Sequence, residues 1–313
     1  MDTGGEGADA RGTGGARETV QERVVRVLAG AGASVRLHAV DVRGGREIAV
    51  AADEQVVLAS VAKILLVLEF ARQACAGQID PRERIVLTAA DRLGGWGVAG
   101  CADDVTMSLR DLAYFAMSVS DNTAADALLR RVGLDTVRLL AAELGLDRTR
   151  VLGGPREHLE SMFEDAGAGD AAEFAELYPG LEPRRVRGFA ALDPARTTSG
   201  TARDVTTLLR LIWQDRAGPA AACAWVRELM SRQAFRHRLA SGFPDGVRVA
   251  AKTGTLPGHH IEAGVVHYPD GGRYAVAVFA ETAGLDPVLG AVDRAIGVAA
   301  RVAVEGLRAA AAA

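Results

Sequence analysis

Ser60 and Lys63 stand three positions apart at the start of an apolar segment, which is the spacing that places two side chains on one face of a helix. A serine hydroxyl is a poor nucleophile until a base removes its proton. A lysine held among apolar residues has a lowered pKa and can act as that base. We therefore interpret Ser60 as a nucleophile and Lys63 as its base. The alternative is a lysine whose ammonium reaches water past a buried stem.

Two further polar groups have the composition of a binding site. Ser120, Asp121 and Asn122 lie between two predicted helices, where a hydroxyl and a carboxamide can relay a proton and hold a substrate amide, although the same residue types also cap helices. Residues 252–255, Lys-Thr-Gly-Thr, follow a predicted strand. The glycine there lets a ligand carboxylate approach the backbone; the alternative is an ordinary turn.

The use of lysine singles out the same positions. Of the 36 Lys and Arg residues only two are lysines, Lys63 and Lys252, and the other 34 are arginines. Arginine is a broad, permanently charged fork, whereas lysine is compact and loses its proton readily when buried. We infer that these two positions require lysine; the alternative is the chance survival of two lysines.

Composition excludes several classes of partner. The formal net charge of −4 provides no basic surface for nucleic acid or an anionic membrane. His259 and His260 are adjacent and unsuited to sharing one ion, so we predict neither a metal nor another cofactor. We expect the three cysteines to be small buried residues, without disulfides: Cys75, Cys101 and Cys223. Residues 1–16 are rich in glycine and polar, and we expect them to be disordered. They lack the pattern of a secretory signal, which favours a cytoplasmic location.

The surrounding pattern predicts the elements that would hold these groups. Apolar periodicity indicates helices at 18–31, 58–75, 109–117, 123–132, 134–144, 201–213, 220–230 and from 286 to the end. Alternation and turn residues indicate strands at 34–42, 47–52, 247–251, 261–268 and 273–280. We expect residues 147–200 to be irregular. Strands from both chain ends would share one antiparallel sheet, because neither set can bury its face alone, and the site would lie between the sheet and the helices.

Taken together, the three groups resemble the SxxK, SDN and KTG motifs of class A β-lactamases and penicillin-binding proteins. Residues 117–126, 197–204 and 244–255 are also similar to that family, and the resemblance covers most of residues 18 to 310. It implies an α+β, β-lactamase-like fold of two lobes, with an antiparallel sheet flanked by the N- and C-terminal helices. The implied lobes are an α/β lobe at 17–52 and 206–313, and an all-α lobe at 53–205 that includes a long loop at 147–200.

The resemblance also implies roles for individual residues. Carried over by motif, Ser60 would be the nucleophile, Lys63 its base and Ser120 a proton shuttle. Asn122 would bind a substrate amide, and Lys252 and Thr253 would bind a substrate anion. Gly254 would allow substrate close to the strand. From the residues themselves, we expect the backbone amides of Ser60 and Thr255 to form an oxyanion hole.

One segment departs from the family pattern. Class A β-lactamases carry a loop glutamate that activates the water for deacylation, and residues 153–160 contain no clean match to that motif. Aligning Leu159 with the family leucine puts Arg156 at the catalytic position. Glu157, or Glu160, could compensate after a local shift. The stretch up to Thr201 is also longer than the family loop.

These observations predict a serine hydrolase that forms an acyl-Ser60 intermediate on a small amide, β-lactam or ester, with a substrate that carries an acyl group and a carboxylate. Two alternatives remain. One is a cytoplasmic biosynthetic acyltransferase or esterase on the same fold, and the other is a ligand-binding protein without catalysis. An intact pair at Ser60 and Lys63 favours an enzyme, because a binding protein has no need of a buried lysine.

Overall fold

The computed structural model describes residues 18–312, so the disorder predicted for residues 1–16 lies outside the described part of the chain. Its helices, in chain order, are α1 Val20–Gly30, α2 Lys63–Cys75, α3 Leu109–Ser118, α4 Asn122–Val132, α5 Leu134–Glu143, α6 Pro155–Ala166, α7 Ala171–Leu177, α8 Pro183–Val186, α9 Ala202–Trp213, α10 Ala220–Ser231 and α11 Gly290–Ala312. The predicted helices are present, most of them within a few residues of the predicted ends.

The strands form one main sheet and two small ones. They are β1 Ala33–Asp41, β2 Glu47–Val50, β3 Val56–Val57, β4 Arg84–Leu87, β5 Val105–Ser108, β6 Ser199–Gly200, β7 Arg248–Leu256, β8 His259–His267 and β9 Arg273–Thr282. The main sheet has five antiparallel strands in the order β2-β1-β9-β8-β7. Strand β1 from the start of the chain pairs along its whole length with β9 from the end, from Ala33 opposite Thr282. The predicted shared sheet is confirmed.

Each face of the sheet is covered by helices. Helices α1 and α11 cover one face, where Val24 and Leu28 of α1 pack in the same core as Ile296 of α11. On the other face lies the larger core, which includes α2, α9 and α10. Helix α2 is apolar on nearly every side, as a central buried helix requires. The architecture is α+β, as predicted.

The segment expected to be irregular is ordered, and the predicted lobes need correction. The long segment at 147–200 contains α6, α7 and α8. Pro155 begins α6, where a missing amide hydrogen costs nothing, and the Asp170 side chain caps α7. Strands β4 and β5 pair with each other, so the lobe expected to be all-α also contains strands. The boundary predicted between 205 and 206 lies inside α9.

The burial predicted for the three cysteines needs correction. Cys75 is exposed and Cys101 is partly exposed because both lie where chain segments end at the surface, so only Cys223 is the buried residue expected. All three are free thiols. None of the helices in residues 18–312 combines the length and the apolar content that crossing a membrane demands.

Candidate functional site

Ser60 lies in a tight 3₁₀ turn, Ala59–Ala62, that leads directly into α2. Ala59, just before it, has φ +45°, a left-handed conformation that is strained for alanine. Strand β7 packs against this turn so closely that a Cβ atom on Gly254 would lie 3.2 Å from the Ala59 Cβ and 3.3 Å from the Leu58 carbonyl oxygen. Glycine at 254 therefore allows the strand to approach the turn that holds the nucleophile.

Lys63 is the first residue of α2, and its side chain is buried against the loop at 120–122. Its Nζ donates to the Ser120 carbonyl oxygen at 2.6 Å, to Asn122 Oδ1 at 2.7 Å and to the Asp121 carbonyl oxygen at 3.3 Å. Ser120 Oγ is 3.5 Å away. Among the described residues Lys63 makes no hydrogen bond to Ser60, although the SxxK spacing predicted a direct contact, because the oxygens of the 120–122 loop take its protons.

The protonation of Lys63 is set by burial. Removal from water penalises the ammonium and lowers the pKa of Lys63 to about 7, while the nearby Asp121 carboxylate acts in the opposite direction. Three good acceptors suit a protonated lysine, which has three donors and no acceptor. With its pKa near neutrality, a modest rise in pH converts Lys63 to an amine with a lone pair.

The loop at 120–122 combines both roles that its sequence allowed. Asp121 is a helix cap, since its carboxylate accepts from the amides of Ala124 at 3.0 Å and Val98 at 2.7 Å. Ser120 has φ +62°, so a non-glycine residue holds a left-handed conformation beside the lysine. Ser120 and Asn122 supply the two oxygens closest to Lys63 Nζ. The capping aspartate fixes a loop whose other two residues serve the site.

A cavity of about 400 Å³ opens beside Ser60. Of the residues predicted from sequence, it is lined by Ser60, Lys63, Asn122 and Thr255. The side chain of Thr255 is fixed by a 3.0 Å hydrogen bond from Arg238 Nη2. Ser60 and Thr255 thus border one space, as the predicted oxyanion hole requires. Ser120 contacts Lys63 but does not itself line the cavity.

The structure does not bring the Lys252 ammonium into this cavity. Lys252 is fully buried, and its Nζ donates to the Thr253 carbonyl oxygen at 2.8 Å. Burial and the positive charge of Lys63 lower the pKa of Lys252 well below its usual value. Thr253 is also buried, with its amide donating to Gln233 Oε1 at 2.6 Å. Lys252 and Thr253, both predicted as ligands of a substrate anion, are thus buried in β7 and do not line the cavity.

Arg238 is a positioning residue that the sequence interpretation missed. Its buried guanidinium donates to the carbonyl oxygens of Gly254 at 2.8 Å and Ile261 at 2.9 Å, and it pairs with Asp293 at 2.6 Å. This single side chain ties the end of β7 to β8 and α11. One arginine among many arginines gives no sequence signal for such a role.

The deacylation residue proposed from sequence lies away from the cavity. Glu157 is exposed, and its carboxylate accepts from the Gly154 amide at 2.9 Å to cap α6. Arg156 pairs with Asp126. The cavity is instead lined by His158, whose Nδ1 lies 3.3 Å from Thr197 Oγ1 and whose buried Nε2 has no hydrogen-bond partner in the described part of the chain. Burial, reinforced by the Lys63 charge, lowers the pKa of His158 to about 4.

His158 was missed because a single histidine in an unmatched segment carries no periodic signal; only the packing of α6 brings it to Ser60 and Lys63. No group of three or more His, Cys, Asp or Glu side chains within residues 18–310 is arranged to hold a metal ion. The arrangement offers a hydroxyl, a lysine that titrates near neutrality and a neutral imidazole around one cavity. Such a set can transfer protons during acyl transfer.

Comparison with known proteins identifies the same family as the motifs. The model of the "Beta-lactamase enzyme family" matches residues 19–306. The chain is 32% identical over 259 residues to the "Beta-lactamase regulatory protein BlaB" of Streptomyces cacaoi, which covers 77% of this chain and 82% of that protein.

Solved structures share the fold over nearly their whole length. A β-lactamase from Sphaerobacter thermophilus DSM 20745 is 27% identical, with a TM-score of 0.73, covering 91% of this chain and 97% of that one. A class A β-lactamase from Mycobacterium abscessus has a TM-score of 0.75 at 18% identity, covering 93% and 100%. A point mutant of PBP-A, solved as an acyl-enzyme complex with penicillin G, has a TM-score of 0.72 at 18% identity, covering 91% and 96%. At 18% identity, the similarity to the last two structures shows a shared fold.

Proposed function

The chain belongs to the β-lactamase enzyme family, and on that premise we propose that it is a serine hydrolase that forms an acyl-Ser60 intermediate on a small amide, β-lactam or ester. The observation that carries the proposal is the buried Lys63, whose pKa of about 7 makes a neutral amine accessible at the cavity that Ser60 lines. A buried lysine destabilises a fold, and a role in catalysis explains why one is present at this position.

The proposed acylation needs few groups. A neutral Lys63 donates one hydrogen bond fewer to the loop at 120–122, and its lone pair accepts the Ser60 proton. Ser60 Oγ then forms a bond to the carbonyl carbon, and the bond from that carbon to the leaving group breaks. The backbone amides of Ser60 and Thr255 are proposed to bind the oxyanion. Ser120, whose Oγ is 3.5 Å from Lys63 Nζ, is proposed to return the proton to the leaving group.

Turnover of chromogenic substrates tests this function. We expect release of 4-nitrophenol from 4-nitrophenyl acetate, or opening of a chromogenic cephalosporin, in a first burst equal to the enzyme concentration. Ser60→Ala is expected to abolish the burst, and Ser34→Ala, at an exposed serine, to retain it. A burst that survives in Ser60→Ala would refute the proposal.

A second candidate is a ligand-responsive regulatory protein, which the name of the Streptomyces relative favours. The absence of a hydrogen bond between Ser60 and Lys63 in the described structure is also consistent with a site that binds without reacting. Equilibrium binding separates the two. A β-lactam that binds wild type and Ser60→Ala with equal affinity, with no covalent mass increase in wild type, would support this second candidate.

A further inference from the structure

The cavity beside Ser60 is far more apolar than the transfer of a small polar acyl group requires. Its volume is about 400 Å³, the size of cavities that enclose sizeable ligands. Most of the residues that line it are aliphatic, aromatic or proline, among them Leu66, Leu129, Val137, Leu159, Met162 and Phe174. The nucleophile therefore borders a space that favours an apolar occupant.

The outer wall of this cavity comes from the long segment that departs from the family pattern. Leu159 and Met162 of α6 and Phe174 of α7 face it together with Tyr178. The rings of Phe174 and Tyr178 lie 5.1 Å apart, and both rings pack against a small core that contains Met162. The segment is thus held by its own core, and its apolar side chains line the space beside Ser60.

The charges of the lining favour an uncharged occupant. Among the described residues that line the cavity, Lys63 is the one lysine or arginine, and no carboxylate takes part. The three protons of a charged Lys63 already go to oxygens of the loop at 120–122. Lys252, predicted to hold a substrate anion, is fully buried outside the lining, and His158 is neutral above about pH 5, since its pKa is about 4. A charged group placed here would lose its hydration without a partner.

We propose that this cavity binds the acyl chain of an uncharged substrate, so that the protein is an esterase or amidase for medium-length alkyl or aryl acyl groups. The inference rests on the acylation of Ser60 proposed above and names the substrate class of that site. It replaces the carboxylate-bearing substrate expected from sequence. Each methylene transferred from water to an apolar pocket contributes about 0.8 kcal/mol, equivalent to roughly fourfold in kcat/KM.

A chain-length series provides the test. With 4-nitrophenyl acetate, butyrate, hexanoate and octanoate, the Ser60–acyl bond forms as the bond to 4-nitrophenolate breaks, and water later releases the carboxylic acid. We expect kcat/KM to rise about fourfold per methylene in wild type until the cavity is filled. Leu159→Trp, which fills part of the cavity, is expected to remove this increase, so that kcat/KM for the octanoate ester falls toward that for the acetate ester. Leu139→Trp, at a leucine 68% exposed on α5 outside the lining, is the matched control.

The outcomes separate this inference from the proposed function. A flat chain-length dependence, with Ser60 acylated by every ester, would overturn the inference alone. Acylation of Ser60 by a chromogenic cephalosporin but by no ester would also overturn the inference alone, and absence of acylation by either kind of substrate would overturn the proposed function. The pocket is then judged by binding to Ser60→Ala, where the octanoate ester is expected to raise Tm more than the acetate ester. Equal shifts would overturn the pocket as well.

A separate observation concerns the hydrolytic half of the reaction. Nε2 of His158 is buried, has no hydrogen-bond partner within residues 18–312 and belongs to a side chain that lines the cavity with Ser60. With the proton on Nδ1, shared with Thr197 Oγ1 at 3.3 Å, Nε2 carries a free lone pair. Buried polar atoms normally have a hydrogen-bond partner, so an unpartnered nitrogen beside a reactive serine indicates a group that binds a water or substrate atom during the reaction.

We propose that His158 is the catalytic base for deacylation. Its Nε2 accepts a proton from water as the water oxygen bonds to the acyl carbon, and the bond to Ser60 Oγ breaks as that oxygen regains a proton from the imidazolium. This second inference also rests on acylation of Ser60. Glu157, the deacylation candidate from sequence, instead caps α6 one residue away and provides a matched control.

Pre-steady-state kinetics with 4-nitrophenyl acetate test this role. We expect His158→Gln to keep the burst, which reports acylation and folding, and to lose at least about tenfold in the steady rate. Acyl-Ser60 should then accumulate in the intact mass spectrum. Glu157→Gln should retain both phases. An acyl-enzyme in His158→Gln that hydrolyses at the wild-type rate would overturn the proposal, and so would loss of the burst in a folded variant. Absence of a burst in wild type, both with this ester and with a chromogenic cephalosporin, would overturn the proposed function itself.

Discussion

We expect Lys63→Met to stabilise the fold at neutral pH while it abolishes acylation of Ser60. Burial lowers the pKa of Lys63 from 10.5 to about 7. At about 1.4 kcal/mol per pKa unit, the buried ammonium costs roughly 5 kcal/mol relative to a lysine in water. Met has a similar length and no charge, so it removes this cost.

Part of that gain is offset by the acceptors that Lys63 leaves behind. The carbonyl oxygen of Ser120 and Oδ1 of Asn122 would lose their closest donor. Unsatisfied buried acceptors cost about 1–3 kcal/mol each, although the partly exposed Asn122 can turn to solvent. We therefore expect a net gain of roughly 1–3 kcal/mol at about pH 7.

The pH dependence identifies the lysine as the cause. Between pH 7 and 10.5 the unfolded chain holds a proton on Lys63 that the folded protein has released, so wild-type stability should rise with pH across this window. Urea unfolding at about pH 7 and about pH 9.5 measures the effect in wild type and Lys63→Met. The difference between them should shrink or reverse at the higher pH. A constant difference would refute a lowered pKa at Lys63.

Three further outcomes follow from the same site. Burst rates with 4-nitrophenyl acetate should increase as pH rises through about 7, because Lys63 must be neutral to accept the Ser60 proton; a rate unchanged from about pH 6 to 8 would contradict this. Arg238→Lys should cost about 3 kcal/mol in urea unfolding, since lysine cannot replace a buried fork with four hydrogen bonds, whereas the exposed Arg232→Lys should be neutral. Gly97→Ala should destabilise by at least ~2 kcal/mol, because φ is +89° and its Cβ would collide with the Asp121 carboxylate; Gly100→Ala, in open space, is the comparison.

Local patterns were sufficient for most of the fold. Apolar periodicity around Leu65 and Leu68 predicted the buried helix α2, and alternation with a Pro-Asp-Gly-Gly turn predicted β8 and β9. The pairing of β1 with β9 followed from the need of each strand set to bury a face. These predictions succeeded because the periodicity of a chain reports directly which side chains are buried.

The segment at 147–200 was harder to predict because α7 and α8 are short and mostly exposed, and few residues of α6 are fully buried. Their apolar residues serve a small separate core and a cavity wall rather than the main core, so the periodicity is weak. Proline at the first position of α6 and the aspartate that caps α7 were the available signals. Helix starts can be read from such caps even where periodicity fails.

For the site, the motifs predicted which residues would be neighbours but not which atoms would meet. The SxxK spacing brought Ser60 and Lys63 to one cavity, yet the protons of Lys63 go to the loop at 120–122. Burial of Lys252 and the arrival of His158 both depend on tertiary packing that spacing does not encode.

The most direct test of the central claim is the intact mass of the protein after brief exposure to an activated acyl donor at about pH 8, followed by peptide mapping. An activated Ser60 should carry one acyl group within seconds in wild type, and none in Lys63→Arg, where the charge persists but no neutral amine can form. Equally rapid acylation of Ser60 in folded Lys63→Arg would contradict the account.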